Sequence, residues 1–332
     1  MQLTVSGIVA GSAYALIGVA FGLILSVTGR FHFAFTFTYT ISAYIASQVG
    51  ESWGLPFWAS LVVGALVGAV FGVLAERLVY RPLAAKSGAY ALLVIFVASL
   101  GLAIMGRNLI ALYWIDSASR QITGFTNAGY NIGPVTLTKL GILQVCVAWA
   151  LVLLLGAVLS YTGLGRVVRA VRVNPEMSLV VGVDPRTVYL AVFAIGSFMG
   201  GVAAVLNATS TAAQPDMGFT PLFYAFVVAF LAGLGAHPVR VGLVGLGVGL
   251  VENWSALFMS SRWTSLVVFG ILFVYVAQRP YQLADLRRRP TTPAAATASE
   301  RTWNCRSPTS TRSSSSRSSR CRSTCCSATP GR

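Results

Sequence analysis

Seven stretches of this chain run for at least twenty residues without a charged side chain: Met1 to Gly29, Phe31 to Gly50, Ser52 to Ala75, Ser87 to Gly106, Leu140 to Gly165, Thr187 to Pro215 and Met217 to Val239. A helix of about 20 apolar residues is long enough to cross the hydrocarbon core of a bilayer. Each stretch meets that length. Only 10% of the 332 residues are charged and 55% are hydrophobic, outside the balance of a soluble globular domain. This excludes a soluble enzyme, a coiled coil and a disulfide scaffold. It also excludes a porin-like barrel, whose strands alternate in polarity instead of running continuously apolar.

The fold class expected is an all-α, polytopic integral membrane protein with about nine transmembrane helices (eight to ten). The expected spans lie near 5–27, 32–49, 57–76, 89–106, 140–160, 188–207, 219–236, 241–258 and 263–278. The second is the most polar, with His32, Thr36, Thr38, Tyr39, Thr40 and Ser42. It should face protein or a water-filled path, not lipid. Met1 to Thr4 carries no basic residue, and no small-residue cleavage site precedes a soluble domain, so no cleavable signal peptide is expected.

Basic residues are retained on the cytoplasmic side of a membrane. Alternate loops divide them unequally. One set holds Arg30, Arg77, Arg81, Lys86, Arg166, Arg169, Arg172, Arg186, Arg240 and Arg279; the other holds Arg107, Arg120, Lys139 and Arg262. Ten against four places the first set in the cytoplasm, the N-terminus outside and the C-terminal tail inside.

The net charge of +15 invites a nucleic-acid reading, and its location argues against one. Residues 1–286 carry a net +6, while 287–332 hold 10 Arg and one Glu. The chain therefore divides into a transmembrane domain, 1–286, and a Ser/Arg-rich tail, 287–332. The tail contains no Leu, Ile, Val, Met, Phe or Tyr and cannot bury enough apolar surface to offset ordering. It is expected to be disordered. Its abrupt composition also fits a shifted reading frame, with a basic segment binding membrane lipid as the functional alternative. Four of the five cysteines lie in it, and Cys146 lies in an apolar helix, so neither a disulfide core nor a metal site is expected.

Tyr161 to Arg186 is the most informative segment. Arg166, Arg169 and Arg172 fall at i, i+3 and i+6 and share a face of a short helix. Asn174, Pro175 and Glu176 read as cap, first position and first turn of a second helix, which Gly182 and Asp184 then stop. A plain connection needs only a few residues. A docking platform is the reading for the longer one. In Glu76-Arg77-Leu78-Val79-Tyr80-Arg81-Pro82, the acid at the membrane's inner edge needs a partner, and Arg77, Arg81 or the platform are the candidates. Glu76, Arg77, Tyr80 and Arg81 are read as a structural latch.

TGLGRVVRAVRVNPEMSLVVGVD in this segment closely resembles the cytoplasmic coupling segment of branched-chain amino-acid ABC transporter permeases. Glu76 to Leu83 resembles that family's ERxxYRPL loop, Gly11 to Leu25 its first span, and Ala232 to Pro238, less cleanly, its glycine-rich turn. The resemblance covers most of residues 7–280. It implies the permease subunit of an ATP-driven importer in the bacterial inner membrane. A homologous second permease subunit, two cytoplasmic ATPase subunits and an external solute-binding protein would be the partners, and Arg166, Arg169, Arg172, Asn174, Pro175, Glu176, Gly182 and Asp184 would be the ATPase-coupling residues. The substrate implied is a branched-chain amino acid. His32 to Phe37, HFAFTF, departs from the family's NFAHGE and keeps only the Phe-Ala pair, which leaves urea, short amides or another small solute as the alternative.

No GxxxxGK[ST] loop and no Ser/His/Asp set occurs, so the chain is not expected to be an enzyme. ATP and Mg would sit on the partner subunits, and no cofactor, metal or nucleic acid is expected on this chain. Candidate pathway residues are His32, Thr36, Thr38, Tyr39, Asn207, Asp216, Glu252 and Asn253. The glycines at 242, 245, 247 and 249 permit either close helix packing or a smooth wall to a vestibule. A self-sufficient carrier or channel, the rival from another class, would need several acids at mid-membrane. None of the eight acids in 1–286 lies securely there.

Overall fold

A computed structural model describes residues 2–86, 90–114, 120, 122, 129–132, 135–258 and 263–278. The tail at 287–332, and with it Arg262 and Arg279 of the loop assignments, lies outside the described residues. Met1–Arg279 forms one compact unit.

Helix α1 (Gln2–Thr28) crosses the centre of the unit, α2 (Phe35–Trp53) follows, and α3 (Phe57–Leu74) runs through a π-helical turn at Ala75–Tyr80 into α4 (Arg81–Lys86). Next come α5 (Ala91–Tyr113), the strands β1 (Gly129–Ile132) and β2 (Val135–Thr138), and α6 (Lys139–Tyr161). The short α7 (Gly163–Val173) and α8 (Pro175–Val180) lead into α9 (Pro185–Thr211), α10 (Phe219–Ala232), α11 (Pro238–Ser255) and α12 (Thr264–Gln278). Among the described residues, α1, α2, α3, α5, α6, α9, α10, α11 and α12 occupy the nine expected positions. The ends differ where polar residues continue a helix. Thus α5 runs past Arg107 and Asn108 to Tyr113, because a helix outlasts its apolar run when the extra turns are exposed. The strands pair antiparallel, Gly129 opposite Thr138, in the connection between α5 and α6.

Buried residues cover most of α1, which packs on α6, α9, α10 and α11. Its approach to α11 is set by missing side chains. A Cβ on Gly11 would lie 2.7 Å from the Leu246 carbonyl oxygen, and one on Gly245 2.6 Å from the Ala15 Cα. Small residues let backbones meet where no hydrophobic driving force separates helix from lipid. Gly247, by contrast, meets nothing within 4 Å and lines an apolar groove with Val244, Val248, Val251, Val268 and Ile271. Gly245 thus serves close helix packing, and Gly247 does not.

The polar α2 is sheathed by protein, packing on α3 and α9. Four of its hydroxyls close on their own helix, while Thr36 Oγ1 is buried without a partner among the described residues: Thr38 Oγ1 donates to Phe35 O at 2.9 Å, Thr40 Oγ1 to Thr36 O at 2.9 Å, Ser42 Oγ to Thr38 O at 2.7 Å and Ser47 Oγ to Tyr44 O at 2.8 Å. Bonds back to the preceding turn satisfy these groups without water, so a polar helix fits inside the unit.

Candidate coupling platform and membrane pathway

Helices α7 and α8 are separated by Asn174, whose side-chain oxygen accepts from the Glu176 and Met177 amides at 3.0 and 3.1 Å. Pro175 takes the first position of α8, where its missing N–H costs nothing. After Gly182, at φ +87°, Asp184 caps α9 by accepting from the Arg186 amide at 3.0 Å, with Pro185 in the first position. The segment is therefore an ordered pair of helices with a defined stop at each end.

The three arginines of α7 do different things. Arg166 is exposed; Arg169 is exposed and donates from Nε to Gly165 O at 3.2 Å. Arg172 is half-buried and donates from Nη1 to Gly235 O at 2.7 Å. Gly235 belongs to the α10–α11 turn, where it and Gly233 hold φ of +82° and +88°, angles that favour glycine. Arg172 thus ties the platform to two long helices, a contact between residues 63 apart that sequence spacing does not disclose. Sequence reasoning also missed a group of exposed apolar residues. Val173 at the end of α7, Met177 and Val180 on α8, and Val181 at its end are 76%, 63%, 82% and 83% exposed. The helix break at Asn174 hides them from a search for one helical period, and the capping signals drew attention to the polar residues instead.

Glu76 lies on the π-helical turn and is only 3% exposed. Its cation is Arg30, from the α1–α2 connection, whose Nη1 donates to both carboxylate oxygens at 2.7 and 2.8 Å. The Arg30 guanidinium also stands 5.3 Å from the centre of the Tyr189 ring on α9. Arg77 and Arg81, considered as partners from the sequence, are both exposed. The turn carries Ala75, Glu76 and Tyr80 inward and leaves Arg77 outward. Tyr80 is buried, with its hydroxyl 2.8 Å from His32 Nδ1.

The pathway candidates do not gather into one site. His32 is fully buried, edge-on to Phe35, Tyr80 and Phe193, and so belongs with the Glu76 region. Thr36 and Thr38 are buried within α2. Tyr39 and Asn207 do meet, Asn207 Nδ2 donating to the Tyr39 hydroxyl at 3.0 Å. Asp216 is exposed in the connection before α10. Glu252 accepts from the Tyr224 hydroxyl, and the Tyr14 ring stacks on Tyr224 at 4.3 Å and 7°. Asn253 donates to Gly249 O at 2.9 Å and lines a cavity of about 490 Å³ with Gln2, Gln144 and Ser210.

A sequence profile described as the permease component of the branched-chain amino acid transport system matches residues 3–277. The chain belongs to that permease family. A high-affinity branched-chain amino acid transport system permease protein, BraD of Pseudomonas aeruginosa, is 28% identical over 294 residues, covering 84% of this chain and 94% of its own length. LivH of Escherichia coli (strain K12), a protein of the same description, is 26% identical over 84% of this chain and 94% of its own length. The fructose import permease protein FrcC of Rhizobium meliloti is 24% identical over 83% of this chain and 75% of its own length. No solved structure matches. As a transport permease component, the chain is a multi-pass membrane protein and not a catalytic subunit. The platform, the Glu76 region and every pathway candidate lie within the matched residues, and the tail lies beyond them.

Proposed function

We propose that the chain is the membrane subunit through which an ATP-driven importer moves a branched-chain amino acid across the bacterial inner membrane. It works with a homologous second permease, two cytoplasmic ATPases and an external solute-binding protein. The observation that carries this reading is the α7–α8 platform, which exposes apolar Val173, Met177, Val180 and Val181 on the same short segment as exposed Arg166 and Arg169. A partner that covers these residues gains apolar burial, and its acids would meet Arg166. Arg172 passes movement of the platform to α10 and α11. Closure of the ATPases on ATP thereby shifts the membrane helices between two arrangements, a population shift driven by differential contacts.

A second substrate reading rests on two observations: the HFAFTF segment departs from the family's pattern, and a fructose import permease is among the relatives. It keeps the machinery and changes the cargo to another small polar solute. Proteoliposomes holding the complete transporter decide between these readings. Labelled leucine should enter only with internal ATP and external binding protein, at least tenfold above controls. Uptake that ignores ATP and follows an ion gradient would make the chain a secondary carrier.

The proposed orientation puts the N-terminus outside. Ser178, a natural probe position on the platform, is 5% exposed and would label poorly on either side. Cysteine at Leu179, which is 58% exposed, and at Ser52, which is exposed before Gly54, avoids that problem. An impermeant maleimide should label Ser52→Cys in intact cells and Leu179→Cys only after permeabilisation. The reverse pattern inverts the topology.

A further inference from the structure

A cavity of about 230 Å³ opens between α7, the end of α6 and the α10–α11 turn. Val19, Leu23 and Val27 of α1 give it an apolar wall, interrupted by Ser26, whose hydroxyl donates to Leu23 O at 3.1 Å. Arg169 and Arg172 both line it, and no carboxylate does. Each guanidinium spends one N–H on a backbone carbonyl, Arg169 Nε on Gly165 and Arg172 Nη1 on Gly235, which leaves the remaining donors of both forks. His237 adds to them indirectly. Its Nδ1 accepts from the Val239 amide at 3.4 Å, which puts the ring proton on Nε2, 2.9 Å from Ser160 Oγ. The hydroxyl proton of Ser160 is then free to point into the cavity. Two positive charges beside a low-dielectric wall, with planar forks suited to an oxyanion, describe a site with charge to neutralise.

We propose that this cavity binds a phosphate-class anion, held by Arg169 and Arg172 with the Ser160 hydroxyl as a further donor. The site needs neither the ATPases nor the transported solute, so it stands or falls independently of the transport reading. A bound anion bridges α7 to the α10–α11 turn and stiffens the link that Arg172 already makes. The phosphate is supplied either by a lipid headgroup at the membrane surface or by a soluble ion.

Titration calorimetry on the purified full-length chain tests both sources, using inorganic phosphate in one arm and dihexanoyl phosphatidylglycerol in the other. At least one probe should saturate a single site per chain. Losing a charge-assisted contact costs about tenfold in affinity. Arg169→Gln alone should therefore weaken binding about tenfold, and Arg169→Gln with Arg172→Gln about a hundredfold. Arg169 is exposed and tied only within its own helix, so its single variant remains informative if the double variant misfolds. Arg169→Lys with Arg172→Lys should retain binding within about tenfold of the wild type, because the charge persists while the fork is lost. Arg166→Gln, on the same helix but outside the cavity, should change affinity less than twofold. Saturation by the lipid without competition from free phosphate assigns the headgroup, and displacement of the lipid by phosphate assigns a soluble ion. If neither probe saturates, or if Arg166→Gln weakens binding as much as Arg169→Gln, the cavity is only part of a diffuse basic surface and the proposal fails.

Discussion

Replacing Arg30 by Met should lower the unfolding free energy by about 3–5 kcal/mol, a large share of the roughly 5–15 kcal/mol that holds a typical fold together. The cause is what is left behind. Glu76 is 3% exposed, and its two oxygens share one guanidinium nitrogen, so without Arg30 a carboxyl group stays buried with no hydrogen-bonded cation and, among the described residues, only the exposed Arg81 to offset its charge. The loss should reverse when the acid goes too. Arg30→Met with Glu76→Met removes both charges and substitutes apolar volume, a change that is often neutral for buried pairs. Exposed neighbours behave differently: Arg77→Ala and Arg81→Ala should each stay within about 0.5 kcal/mol. Chemical unfolding of these four variants and of Glu76→Met alone in detergent gives the comparison. A double variant as unstable as the sum of its single changes would show that Arg30 and Glu76 do not act as a pair.

The consequence reaches beyond stability, because the pair fixes how the α1–α2 connection sits against the π-helical turn. Arg30 also lies over Tyr189 on α9, the helix that the platform leads into. Stability in this region is therefore shared between the membrane helices and the segment read as coupling them.

The long helices were legible because charge-free runs and a fixed rise per residue suffice to find them. Capping was legible for a similar reason: Asn174-Pro175 and Asp184-Pro185 act on amides two or three residues away, so the signal is local. Contacts between distant positions were not. The sequence offers Glu76 its neighbours Arg77 and Arg81 or the platform as partners, but the wider π-helical turn points Arg77 outward, and the cation comes from 46 residues upstream. Likewise the tie from Arg172 to Gly235 depends on two positive-φ glycines setting a carbonyl's direction, a matter of backbone geometry. The polar residues of α2 marked a helix that avoids lipid, but one chain's sequence does not say what they would meet: Tyr39 bonds to Asn207 of α9, a pathway candidate 168 residues away.

Two charges placed among the exposed apolar residues of α8 should disconnect the permease from its ATPases. Met177 and Val180 stand one helical turn apart and are 63% and 82% exposed, so Met177→Glu with Val180→Glu burdens the chain's own fold little. A docked partner loses far more. Central apolar anchors cost about 2 kcal/mol or more each on truncation, and a buried unpaired carboxylate adds to that. A total of about 4 kcal/mol corresponds to roughly a thousandfold weaker docking. The deciding measurement is substrate-stimulated ATP hydrolysis by the reconstituted transporter carrying Met177→Glu and Val180→Glu, with the unfolding midpoint of the variant matched to the wild type. Hydrolysis should fall to the basal rate of the isolated ATPases. Stimulation at the wild-type level would mean that α7 and α8 form an ordinary basic loop, and that coupling runs through another part of the chain.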